Sequence, residues 1–177
     1  SGKDTYSMQT KEWHGLMKVV DVQHVRDGKV IWEAKNLLNT FHLAGEQRIL
    51  QYCFSGQTVP PNFYVGLDAR VTLAETDTIN DLLDEPNGDG YVRQAVASNG
   101  FTVEAVDNVY RASSPIVTFT ASPSSSWGPV TNIFLADSTD NSGILFASAP
   151  LGQSVTVDNG DSILMRIALA LRDCPIS

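Results

Sequence analysis

The chain is poor in the residues and runs on which much protein chemistry depends. Cys53 and Cys174 are the only cysteines in 177 residues, so neither a multi-disulfide framework nor a thiolate metal cluster can form. One long-range bridge is arithmetically possible, but two unpaired, buried thiols are the expectation. No stretch approaches the ~20 apolar residues needed to span a bilayer. The opening SGKDTYSMQTKEW has no apolar run of the kind a signal peptide carries, so folding in a reducing cytoplasm is expected. Positive charge is also scarce. Twelve Lys and Arg against twenty Asp and Glu give a formal charge of −8. Lys3, Lys11, Lys18, Arg26, Lys29 and Lys35 are scattered, with no arginine-rich arm, which argues against direct nucleic-acid binding.

Catalytic groupings are missing as well. His14, His24 and His42 form no close metal-ligand spacing, and along one extended strand His14 and His24 would lie far apart. Asp77, Asp81, Asp84, Glu85 and Asp89 make an acidic tract without the ordered ligand pattern of a calcium loop, so a solvated acidic face is expected. Asp137–Asn141 and Asp158–Asp161 read as turns, in which short acceptors cap backbone amides. Ser124–Ser126 lacks a nucleophile context, and Gly88-Asp89-Gly90 precedes a strand where a phosphate loop would feed a helix. The expectation is no catalytic residue, no cofactor and no metal.

What is present is a β pattern. Hydrophobic residues reach 42% and charged residues only 18%, a globular composition with room for protein-facing surface. Leu16, Val20 and Val22 share one alternating phase after Trp13, with Met17, Val19 and Val25 on the other. Asp27-Gly28 then predicts a hairpin into KVIWEA. Leu38, Phe41, Gly45, Ile49 and Tyr52 recur every three or four residues and predict one amphipathic helix near 40–53, capped by Thr40 or Asn39.

Further along, NFYVGLDA resumes the strand pattern. A short helix is expected around Thr78–Leu83, inside an insertion near 74–90 that projects from the sheet. Ser98-Asn99-Gly100 predicts a second hairpin, between YVRQAVA and FTVEAV. PIVTFTA, VTNIFLA and ILFASA read as strands. The last strand is the clearest, with Ile163, Met165, Ile167, Leu169 and Leu171 on one face.

The expected fold is mainly β: an antiparallel β-sandwich, jelly-roll-like, of about seven to nine strands. An immunoglobulin-like sandwich is the topological competitor. The expected layout is a polar amino-terminal arm over residues 1–12 and a single domain over 13–177. Most aromatic residues should lie in the core, with Trp127, beside a Ser/Pro-rich loop, the favoured exception.

The segments FYVGL (63–67), GYVRQ (90–94), VTFTA (117–121), WGPVT (127–131), ILFAS (144–148) and VDNGDSILMRIAL (157–169) occur in an order and spacing that resemble tailed-phage virion structural proteins. These are proteins of the head decoration, cement or tail-associated type. The resemblance covers roughly residues 60–172 and leaves residues 1–59 as an assembly-specific addition. It implies a non-enzymatic β-sandwich, foremost a capsid cement or decoration protein on the outer capsid surface, made in the host cytoplasm. The major capsid protein and neighbouring copies of the chain are then its partners, with neither nucleic acid nor membrane involved. The alternative it implies is a tail-associated or fibre protein with an adhesion or receptor-binding role. Trp13, Leu16, Leu82, Leu83 and Trp127 are the candidate protein-contact residues.

Overall fold

The strand-forming runs assemble into two antiparallel sheets that share one core in a computed structural model. The structure describes residues 11–70, 73–88, 90–121 and 126–175. Among these it forms ten strands, one α-helix and one short 3-10 turn. Of the arm expected over 1–12, residues 1–10 lie outside the described residues, and Lys11 and Glu12 already belong to a strand.

The first sheet is built on β1 (Lys11–Arg26) and β10 (Ser162–Pro175), paired along nearly their whole length. Outside β1 lies β2 (Lys29–Thr40), joined to it by the expected hairpin. Asp27 and Gly28 there adopt φ of 50° and 75°, the mirror-image turn that suits strand twist. On its other side β10 pairs with β7 (Val117–Thr120) along one half and β6 (Val109–Ser113) along the other. β5 (Thr102–Val106) forms the far edge. The second sheet runs β4 (Gln94–Ala97), β3 (Asn62–Asp68), β8 (Trp127–Ala136), β9 (Leu145–Val157). Neither sheet closes into a barrel among the described residues.

Two sequence expectations are corrected. The hairpin expected at Ser98–Gly100 is a crossover, because β4 belongs to the second sheet and β5 to the first. The real hairpin in this region is β5–β6, turned by Asp107 and Asn108 at φ of 52° and 62°. On β1, strict alternation fails at a bulge. The register against β10 skips Val20, so Met17 and Val19 before it and Val22 after it all face the core.

The helix α1 spans Leu43–Phe54 and is preceded by His42, not by a Thr40 or Asn39 cap; both of those belong to β2. Gly45 lies so close to β9 that an added Cβ would fall 2.4 Å from the Phe146 carbonyl oxygen. Ile49 and Tyr52 extend the same stripe onto the core, as their spacing predicts.

The 74–90 stretch does not simply project. Its 3-10 turn, η1 (Ile79–Asp81), folds Ile79 and Leu82 back onto Phe134, Ala136 and Leu145, a small second core on the outer face of the second sheet. That face is therefore covered by the chain's own connections.

Candidate protein-contact site

The five sequence-derived contact residues fall into two groups. Trp13 is 71% exposed near the start of β1. Leu16, half-buried, lies with it in one shallow hollow, completed by Val109, Tyr110, Ala170 and Leu171. Leu83 is also exposed, at 68%. Leu82 and Trp127 are buried, Leu82 under η1 and Trp127 edge-on to Tyr91 with ring centroids 5.6 Å apart. Gly128 and the stacked Tyr91–Phe119 pair draw the Trp127 indole into the main core. In the isolated chain Leu82 and Trp127 therefore act in packing, and the surface is carried by Trp13, Leu16 and Leu83.

Sequence reasoning missed Tyr110 and Leu171. Leu171 continues the alternation of Ile163, Met165 and Ile167, yet it is 60% exposed because the core ends before β10 does. Trp13 lies on the corresponding phase of β1, two residues ahead of buried Gly15 and four ahead of Met17. Tyr110, 71% exposed, belongs to the strand that the sequence left unassigned.

The polar groups close on one another. Arg93, in the GYVRQ tract, is buried and uses all five of its N–H donors. Nε and one Nη2 hydrogen donate to the two Glu85 carboxylate oxygens, each at 2.9 Å. The other Nη2 hydrogen meets Asn141 Oδ1 at 2.7 Å, and Nη1 donates to the carbonyls of Ser138 and Asp140. The guanidinium also stacks 5.0 Å over the Phe134 ring. Glu85 accepts from the Tyr91 hydroxyl at 2.6 Å, and that hydroxyl accepts from the Leu67 amide. Burial beside Glu85 pushes the Tyr91 phenol far up, keeping it protonated. This hub ties the 73–93 connection, β3 and the 137–144 turn together.

Several other charged groups are similarly occupied. Asp161, fully buried, accepts from the Arg26 guanidinium at 2.9 and 2.8 Å and contacts His24 Nε2 at 2.7 Å. The Arg26 hydrogen bonds hold its pKa down at about 2. Asp77 and Asp81 lie beside Arg70, and Asp81 caps the amide of Thr78. Asp137 and Asp140 accept from the amides of Ile144 and Ser142, as turn residues should. Among the described residues no group of three or more His, Cys, Asp or Glu is placed to share a metal ion.

One Ser–His pair does come within hydrogen-bond distance. His42 Nδ1 donates to the Ala74 carbonyl at 2.9 Å, which leaves Nε2 to accept from Ser148 Oγ at 2.8 Å. Both residues are sealed from solvent, and Nδ1 meets a backbone carbonyl where a catalytic triad would place a carboxylate. Burial pushes the His42 pKa down. The pair holds the start of α1 against β9 and the 73–88 segment; it is a structural clasp.

The family model for podophage GP4 fiber I protein gp80 matches residues 41–170. The chain belongs to this gp80 fibre-protein family. It is a structural protein of a tailed-phage virion, and as such works in contact with other virion proteins. No curated protein matches the chain.

The gp80 match takes in α1, both sides of the Arg93 hub and the β5–β6 hairpin. It begins earlier than the resemblance read from sequence, which had placed the helix in the unmatched part. Outside it lie β1 and the whole of β2, and with them Trp13 and Leu16; at the other end it stops just short of Leu171. The surface around Trp13 therefore combines matched residues, Val109 and Tyr110, with unmatched ones.

Proposed function

We propose that the chain is a tail-associated fibre component of the virion, in place of the capsid cement that the sequence resemblance put first. The supporting observation is the match of residues 41–170 to a fibre protein. On this reading the jelly-roll-like sandwich is one domain from residue 13 onward and serves as a rigid carrier. Its second sheet is covered by its own connections, and its contacts with tail proteins are made by exposed apolar groups, Trp13, Leu16 and Leu83 first among them. Leu82 and Trp127 belong to the packing of that carrier.

Burying such groups in a neighbour stabilises each contact modestly, and repetition around the symmetric tail multiplies the effect. The test is to mix purified protein with isolated tails and with empty capsids of the same phage, then image both. Regular occupancy on tails, with bare capsids, is the expected outcome. Occupancy at capsid seams with bare tails would restore the cement reading.

A further inference from the structure

Single exposed hydrophobic side chains are ordinary on a protein surface, but at one end of this molecule they are contiguous. β1 and β10 run on past the core, so the phase that buries Met17, Val19, Ile163 and Met165 continues into open space at Trp13 and Leu171. Those two residues line two adjoining hollows. One contains Leu16, Val109 and Tyr110; the other contains Leu50 of α1 and the face of Phe41. Phe41 and Ile49 in turn line a third, which reaches Val103 on the edge strand β5. Shared lining residues thus link apolar groups from the start of β1, past the helix and Glu46, to the β5–β6 hairpin.

We propose that this surface is where a second copy of the chain docks. Its size supports the choice. Covering Trp13, Leu50, Val103, Tyr110 and Leu171 would remove roughly 600 Å² of side-chain surface from water. With a polar rim, that approaches the ~800 Å² per partner of a stable protein interface, and contiguous patches of this extent mark interaction sites.

The opposite edge is unsuited to the task. β2 presents Lys29 and Lys35 and carries a left-handed residue at Asn36, φ 57°, features that discourage strand-to-strand association. Because one patch meets its own copy, the contact closes by a two-fold axis. This inference narrows the tail-associated reading, because Trp13 and Leu16 then meet a second copy and Leu83 is left for tail proteins; self-association is measured with no virion component present, so the two readings can fail separately.

The experiment is sedimentation velocity on the full chain across a concentration series. Three altered proteins are compared with it: Trp13→Glu with Leu171→Glu, Tyr110→Lys alone, and Leu38→Glu on β2 as control. Circular dichroism checks that each is folded. The wild type and the Leu38→Glu protein should associate alike, the double variant should be monomeric, and Tyr110→Lys should associate at least tenfold more weakly. Tyr110→Lys lies on a separate hairpin and so tests the surface even if the double variant misfolds. A monomeric wild type, or association undiminished in both patch variants, would overturn the proposal.

Discussion

Arg93 and Glu85 meet as a side-on fork, with Nε and Nη2 each 2.9 Å from a carboxylate oxygen. The pair fastens the connection over the second sheet to the strand end that follows it. Removing the guanidinium would leave Glu85 with the Tyr91 hydroxyl as its remaining donor, take a donor from the Ser138 and Asp140 carbonyls, and uncover Phe134. Arg93→Met should therefore cost about 3–5 kcal/mol, as when one partner of a buried pair is removed. Arg93→Lys should recover little, because an ammonium cannot form the fork. Denaturant unfolding of the three proteins measures both differences.

Gly66 is required by a close approach. A Cβ there would lie 2.2 Å from the Phe134 ring, which rests across β3 on the outer face of the second sheet. Gly66→Ala should destabilise by about 1–3 kcal/mol through overpacking. If thermal unfolding showed no change, the ring would not be held where the Arg93 stack places it.

Leu82 and Leu83 are neighbours with opposite duties. Leu82→Ala empties part of the small core and should cost about 2–3 kcal/mol. Leu83→Ala should stay within about 0.5 kcal/mol, as exposed substitutions usually do, and should act on tail binding alone. Unfolding and tail co-sedimentation on both variants separate the two roles.

Two histidines should give stability pH slopes of opposite sign. Hydrogen bonds from the His14 ring to the carboxylates of Glu46 and Glu12 raise its pKa above 6.5. Its contribution is full below pH 6.5 and lost as pH rises through the raised value. Burial lowers the His42 pKa below 6.5, so its contribution is full above pH 6.5 and lost as pH falls through the lowered value. His14→Gln should remove the decline in thermal stability above pH 6.5. A wild-type profile identical to that of His14→Gln across pH 6–8 would mean that the carboxylates do not hold the ring.

Much of the framework is legible where the signal is local. Asp27-Gly28 names its own hairpin, and Ile163, Met165 and Ile167 name a core face by alternation alone. The failures lie where the answer depends on a distant partner. Ser98-Asn99-Gly100 is a sound turn, but no local signal says that the strands on either side belong to different sheets. Val20 interrupts the period of β1 because of the register against β10, some 145 residues away. Arg93 was visible within GYVRQ, whereas its partners at Ser138, Asp140 and Asn141 were not. Trp13 and Leu16 could be chosen from sequence as large apolar groups near a polar lead-in. Leu171 could not, since its exposure requires knowing that one sheet outruns the other.

The pairing of β1 with β10 sets Lys11 opposite Pro175, at one end of the longest ladder in the molecule. A pull applied between those two residues opens the ladder like a zip, one rung at a time. A pull between Pro175 and the Asp27–Gly28 turn acts along the strands and loads many rungs together. The protein is thus mechanically anisotropic, compliant where its first and last strands meet and stiff along their length. A fibre component held by that end would yield by peeling long before its core gave way.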